Sequence, residues 1–298
     1  VTARVEAGFA PAKINLSLKI LGRQVDGYHR LDSLVAFADI GDRVQVAPAA
    51  TPGVTLDITG PYAAALGACD PADNLVVRAA YALGAAAGIT PAITITLEKN
   101  LPMASGIGGG SADAAAVLRV LCATWGLDWG PDWGRGRLAA LGLKLGADVP
   151  VCLASRCAWM GGVGQDLARA PALPTDLGLL LVNPGVATST GAVFQALAGR
   201  FSKPAARPSC LGPDLGDLVA AIRPLGNDLT DPAIAVTPVI ADVLAALQPM
   251  DGVAYAALSG SGATCFALLP SRAEAVAAAE TLRAQVPDGW WIAAGELI

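Results

Sequence analysis

Apolar and polar residues alternate without a break over 13–20: Ile14, Leu16, Leu18 and Ile20 fall on one side, Lys13, Asn15, Ser17 and Lys19 on the other. That period of two predicts a strand, and on pattern alone its polar side is a solvated one. Asp26-Gly27 predicts a turn, followed at once by Tyr28 and His29. Strands are expected over 31–40 and 43–46 with a turn at Gly41-Asp42 between them, and again over 54–59. After Asp73-Asn74 the period changes. Leu75, Val76, Ala79, Leu83 and Ala86 share a helical face that stops near Gly88. Residues 93–98 return to strict alternation.

A second helical face, Ala114, Val117, Leu118, Leu121 and Trp125, ends at Gly126, and Ser111 stands where its N-cap belongs. Residues 125–136 read as a tryptophan- and glycine-rich connection and 138–145 as a short helix. That helix ends in Gly146-Ala147-Asp148-Val149-Pro150, an aspartate in a turn close before proline. Pro171 and Pro174 mark the expected boundary between a domain over 1–170 and another over 171–298. Beyond it, 178–183 predicts a buried strand, 199–216 an exposed proline-rich connection, and 213–222 and 237–247 helices. A strand over 254–258 meets the small-residue loop Ser259-Gly260-Ser261-Gly262, which suits close approach of another backbone. A strand over 265–269, an amphipathic helix over 272–285 and a strand over 289–298 complete the pattern. Neither an internal repeat nor a low-complexity tail is evident.

Between the strand at 93–98 and the helix after it lies the densest chemistry: Pro102, Met103, Ala104, Ser105, Gly106, Ile107, Gly108, Gly109, Gly110, Ser111 and Ala112. So many glycines leave backbone amides unshielded, and the positive end of the helix dipole faces the same point. A phosphate suits that place. The stretch matches neither Gly-x-x-x-x-Gly-Lys-Ser/Thr nor Gly-x-Gly-x-x-Gly, because Ser111 occupies the third glycine's position. On the loop alone, a flexible surface connection is the bland alternative.

Composition narrows the setting. With 54% apolar and 15% charged residues in 298, the chain has a globular enzyme's or binding protein's makeup. A net charge of −5 argues against nucleic acid or an anionic membrane as a partner. No apolar run reaches membrane-spanning length, and no signal pattern is seen at the N-terminus, so a cytoplasmic setting is expected. The six cysteines include no Cys-x-x-Cys pair and read as buried free thiols in a reducing compartment. His29 is the only histidine, more often a surface or satisfied core residue than a catalyst. No side-chain cluster suggests a metal site.

Taken together, Pro11-Ala-Lys-Ile-Asn-Leu16, Asp26-Gly-Tyr-His29, Asp73-Asn-Leu75, the glycine loop, Leu145-Gly-Ala-Asp-Val-Pro150, Asn183-Pro-Gly-Val186, Gly226-Asn-Asp228 and Ser259 to Thr264 are more specific. In that order they resemble the GHMP kinase superfamily (galactose, homoserine, mevalonate and phosphomevalonate kinases). Within it they resemble most the branch that phosphorylates a cytidine-diphosphate-linked alcohol on the non-mevalonate isoprenoid route. The resemblance implies an α+β, two-domain GHMP kinase fold, with an N-terminal domain like domain 2 of ribosomal protein S5 and a ferredoxin-like C-terminal one. ATP and the acceptor would meet between them.

It assigns Lys13 and Asp148 to catalysis, and the loop from Pro102 to Ala112 to the phosphates of ATP, with Asn74 and Lys99 near the nucleoside. It gives Asn15, Tyr28, His29, Thr190 and Phe194 to the cytidine diphosphate acceptor, two aromatic rings sandwiching the base. ATP and Mg2+ are the implied cofactors, Ser111 being the candidate magnesium contact. Ile107 and Ala112 depart from the family's usual leucine and serine without removing an amide. Another superfamily kinase, of homoserine or mevalonate type, and a nucleotide-binding module without chemistry stay open as alternatives. Oligomeric state is not legible.

Overall fold

The computed structural model describes residues 5–66, 70–129 and 136–298. Strands β1 (Glu6–Asn15), β2 (Lys19–Arg23), β3 (His29–Pro48) and β4 (Gly53–Thr59) come first. Helices α1 (Ala63–Leu66) and α2 (Leu75–Ala87) and strand β5 (Ala92–Glu98) lead to the glycine loop. Helices α3 (Gly109–Thr124), α4 (Arg137–Leu145) and α5 (Val149–Ala154) follow it. Next are β6 (Ala158–Gly162), β7 (Asp166–Arg169) and β8 (Gly178–Asn183), then helices α6 (Thr190–Ala196), α7 (Leu215–Ile222), α8 (Thr230–Val236) and α9 (Val239–Leu247). Strands β9 (Tyr255–Leu258) and β10 (Cys265–Leu269), helix α10 (Arg272–Arg283) and strand β11 (Trp291–Glu296) complete the order.

The contacts divide the chain into two units, each assembled from several stretches. Unit 1 takes the described residues of Val1–Ala12, Gly41–Met103 and Gly108–Ser155; unit 2 takes Lys13–Ile40, Ala104–Ile107 and Arg156–Ile298. The division is interleaved, so it does not coincide with a single cut near residue 170. β3 is the reason. It runs unbroken where a turn at Gly41-Asp42 was expected, giving its first part to unit 2 and its second to unit 1. A Cβ on Gly41 would lie 2.3 Å from the carbonyl oxygen of Ala10, so glycine serves close strand approach there, not a turn.

In unit 1, β5 pairs in parallel with β4 and antiparallel with the end of β3. Ile93, Ile95 and Leu97 are buried, as the alternation predicts. Helix α2 starts on an Asn74 cap, stops at Gly88 in the left-handed region, and packs against α3 through small residues. Alanines at 79, 80, 114 and 115 are fully buried, which lets the two helices approach closely.

In unit 2, β2 and the start of β3 form a hairpin in which Arg23 pairs with His29, and residues 31–35 of β3 pair with β6. The Asp26-Gly27 turn forms: the Asp26 carboxylate accepts from the Tyr28 amide at 3.0 Å, and Gly27 takes φ +92°. The alternation over 13–20, by contrast, is not one strand, because the chain breaks between β1 and β2. The antiparallel sheet β11-β8-β10-β9 has the split βαβ order of a ferredoxin-like layer. Both of its faces are covered. Leu180, Val182, Cys265 and Ala267 pack with Ile240, Val243, Ala275 and Leu282 from α9 and α10, and Leu179, Leu181, Phe266 and Leu268 are buried as well. Residues 178–183 therefore read as a continuous apolar run. The pattern missed β6, β7, α1, α5, α6 and α8, all short.

Among the described thiols, Cys122, Cys152 and Cys265 are buried, as expected, but Cys210 is exposed. Burial pushes the Cys157 thiol up to about 12. Cys69 and residues 130–135 of the connection expected over 125–136 lie outside the described residues. No described helix is long and apolar enough to cross a membrane.

Candidate active site

The glycine loop is threaded through both units. In unit 2, the carbonyls of Ser105 and Gly106 accept from the Thr264 amide (3.0 Å) and the Ser259 hydroxyl (3.2 Å). A Cβ on Gly106, whose φ is +76°, would lie 2.4 Å from the Ser259 carbonyl oxygen. One on Gly260 would lie 2.7 Å from that of Gly106. The backbone that the small-residue loop at 259–264 admits is thus the glycine loop itself.

In unit 1 the loop becomes helix α3, with one correction to the sequence reading. Ser111 is not the N-cap. Gly108 is, in the left-handed region at φ +66°, and Ser111 is the third helical residue. Positive φ is what turns the chain into the helix, and glycine tolerates it. The first intrahelical bond runs from the Ala112 amide to the Gly108 carbonyl, so the amides of Gly109, Gly110 and Ser111 have no acceptor within the helix. A Cβ on Gly110 would meet nothing within 4 Å. Three amides without a helical acceptor, and open space beside Gly110, suit an anion.

Behind these amides is a buried charge cluster that the sequence reading did not find. Lys99, 3% exposed, is ion-paired with Asp42, and at 2.8 Å with Asp113. Asp42 also accepts from the amides of Asn100 and Leu101. Desolvation raises the Asp113 carboxyl, and the nearby Lys99 ammonium offsets only part of that. Two carboxylates in turn hold the Lys99 ammonium above its usual range against the cost of burial. Lys99 was expected at the nucleoside end of ATP. The structure instead commits its ammonium to this cluster, against Gly109, where a Cβ would lie 3.1 Å from Nζ. Asn74, the other residue expected there, caps α2 through its Oδ1 at 3.0 Å from the Val76 amide.

Asp148 stands at the start of α5, in the turn that follows Gly146. It is partly exposed. A Cβ on Gly146 would lie 3.9 Å from the Ser111 hydroxyl, so the Asp148 turn adjoins the first turn of α3. Arg119 fastens this arrangement, donating to the carbonyls of Phe9 (2.8 Å) and Cys152 (2.7 Å).

The acceptor residues expected from the sequence all belong to unit 2. Most of the polar side of the 13–20 stretch is not solvated: Lys13, Asn15 and Ser17 are at most 4% exposed, and only Lys19, paired with Asp228, is partly exposed. Lys13 Nζ donates to Asn15 Oδ1 at 3.0 Å, and Asn15 Nδ2 donates to the Ser33 hydroxyl at 2.8 Å. The Asn15 amide donates to Ser259 Oγ at 3.1 Å, which joins Lys13 to the glycine loop through Ser259. Hydrogen bonding makes burial of such a polar row tolerable.

His29 opens β3 and stacks on Phe194 of α6, ring centroids 4.4 Å apart at 20°. Burial, and then the Arg23 guanidinium, hold the imidazole below its usual pKa. Thr190 lies one helical turn before Phe194 on the same face, its hydroxyl 2.9 Å from that of Ser261. Tyr28, in contrast, projects from the turn, 61% exposed. Ser189 caps α6, and a serine ahead of Val193 and Leu197 at helical spacing was the available signal for that helix.

Among the described residues no group of three or more His, Cys, Asp or Glu side chains is placed to hold a metal ion.

Comparison with known proteins adds relatives to this geometry. Residues 74–156 match the family described as GHMP kinases N terminal domain, and residues 206–288 the one described as GHMP kinases C terminal. A 4-diphosphocytidyl-2-C-methyl-D-erythritol kinase of Paracoccus denitrificans is 52% identical over 288 residues, 97% of this chain and 95% of the relative. A protein of the same name from Gluconacetobacter diazotrophicus is 49% identical over 294 residues, 97% and 93% of the two chains. A solved 4-(cytidine 5'-diphospho)-2C-methyl-D-erythritol kinase superposes with a TM-score of 0.77 at 34% identity, covering 98% of each chain. Homoserine kinase from Cytophaga hutchinsonii shares the fold, with a TM-score of 0.65 at 16% identity over 100% of this chain and 96% of its own.

Proposed function

This chain belongs to the 4-diphosphocytidyl-2-C-methyl-D-erythritol kinase family of the GHMP kinases, and from that premise we propose that it transfers the terminal phosphoryl group of ATP to the 2-hydroxyl of 4-diphosphocytidyl-2-C-methyl-D-erythritol. The acceptor hydroxyl has a pKa far above 7 and must lose its proton as it attacks. The Asp148 carboxylate takes that proton, and the Lys13 ammonium, oriented by Asn15, offsets the charge developing on oxygen. The amides of Gly109, Gly110 and Ser111, with the dipole of α3, receive the phosphates. Pro102 to Ile107 shape the loop that presents them. Lys99 acts from behind, by pinning Asp113 and the first turn of α3 to β3.

Magnesium arrives with the nucleotide in this reading. Without a carboxylate cluster among the described residues, its protein ligand would be the Ser111 hydroxyl, the rest being phosphate oxygens and water, as suits an ion that sheds water reluctantly. When bound it neutralises phosphate charge.

The observation that carries the acceptor assignment is the His29–Phe194 stack, with Thr190 on the same face of α6. The two rings stack on each other and do not form the sandwich expected from the sequence, but a planar base can meet the pair from outside; kinases of homoserine or mevalonate have no use for such a pair. Stacking accepts any base, so hydrogen bonds from His29 and nearby backbone select cytosine. The test is phosphoryl transfer with the diphosphocytidyl acceptor, homoserine and mevalonate in parallel. Transfer to the first alone is expected. Transfer to homoserine or mevalonate instead would favour the superfamily rival, and ATP binding without transfer to any alcohol a non-catalytic module.

A further inference from the structure

One ring beside His29 has no part in the function as stated so far. Phe201 lies 6.2 Å from the imidazole, tilted at 56°, and remains 42% exposed. We propose that Phe201 is a positioning residue for the acceptor, acting through His29; this rests on the reading that His29 meets the base.

The placement is built. Phe201 belongs to the proline-rich segment after α6, which is laid along the β2–β3 hairpin and tied to it at two points. The Ser202 amide donates to the Ile20 carbonyl at 2.8 Å, and Arg207 grips Asp32 through Nε (3.1 Å) and Nη2 (2.9 Å). Ile20 pairs with Leu31 and Arg23 with His29 in that hairpin, so the first tie sets the register of Phe201 against the imidazole. Arg207 also lies over the Trp159 ring at 5.2 Å, which anchors the segment's far end to β6. Immediately before the first tie, Phe201 meets His29 at a distance and tilt at which aromatic pairs attract. Phe194 holds the imidazole by stacking, and Phe201 adds a second, tilted ring. An imidazole with two ring neighbours has fewer orientations to lose when it engages a base, which favours binding.

His29 is the only histidine, so its imidazole resonances in NMR spectra of the whole protein are unambiguous. In Phe201→Ala those resonances should move and the imidazole titration rise toward the ordinary histidine value, since burial holds it down. KM for the diphosphocytidyl acceptor should increase about 2- to 12-fold, the range an aromatic pair supplies. kcat and KM for ATP should stay put. Phe201→Tyr should keep wild-type behaviour, and Phe201→Leu, apolar but without a ring, should follow alanine. Unmoved imidazole resonances would overturn the proposal, as would an unchanged acceptor KM in both ring-deleted variants. Failure of the wild-type enzyme to phosphorylate the diphosphocytidyl acceptor would instead overturn the functional reading, before any variant is compared.

Discussion

Asparagine at 148 would keep the shape of the side chain and the turn after Gly146 while removing the capacity to accept a proton. Asp148→Asn should therefore leave the binding of ATP and acceptor within a few-fold and lower kcat by at least about 100-fold. Near-normal turnover in a purified, folded variant would exclude the base role. At the acceptor end, ring centroids 4.4 Å apart leave no room for a base between His29 and Phe194, so the base must meet this pair from outside, with the imidazole kept in place. Phe194 supports the pair it meets. Phe194→Ala should weaken the cytidine acceptor about 10- to 100-fold by calorimetry, with ATP affinity unchanged. The lowered pKa of His29 sets the sign of a pH effect. The unfolded chain takes up the proton at a higher pH than the folded one, so this residue's stabilising contribution is complete above about pH 6.5 and falls as pH drops through the folded value. Acceptor affinity should fall over the same interval in the wild type and not in His29→Ala, which also loses the preference for cytidine over uridine diphosphate.

For the glycine loop and helix α3, each glycine answers to a different neighbour. Gly108 needs its positive φ, so Gly108→Val should abolish ATP binding while leaving the acceptor bound. Gly110 meets nothing within 4 Å. Gly110→Ala should fold like the wild type, and any loss of ATP affinity it shows is a direct reading of how closely phosphate approaches that amide. A valine at 109 would be ambiguous, because its side chain would press on Lys99 as well as on the ligand. The Lys99 cluster holds this element in place. Lys99→Met leaves two buried carboxylates without their cation and should lower unfolding stability by about 3–5 kcal/mol, read from denaturant curves. Unchanged stability would mean that the cluster does not hold the loop's helix.

Across the whole molecule, the two ligands should each raise the unfolding midpoint, by about 2.7 kcal/mol of added stability at 100 times the dissociation constant. Thermal scans of Gly108→Val should keep the shift caused by cytidine diphosphate and lose that caused by ATP. Long, regular elements such as β5, α2, β8 and α10 were legible in the chain itself, because period and caps are local properties. So was the glycine loop, whereas Lys13, His29 and Asp148 were singled out only by the resemblance of the motifs around them, since their residue types alone read as a solvated face, an ordinary histidine and an ordinary turn. Contacts distant in sequence decided the rest. Gly41-Asp42 reads as a turn until β1 presses on the glycine and Lys99 binds the aspartate. Lys13, Asn15 and Ser17 read as a solvated face until Ser33 and Ser259 bury them. Phe201 has no pattern at all, and only the ties of its segment to the hairpin bring it to His29. Spacing along the chain determines which face of an element a residue occupies. What covers that face depends on segments up to hundreds of residues away, and only packing brings these together, since burial and ion pairing act through space and not along the backbone.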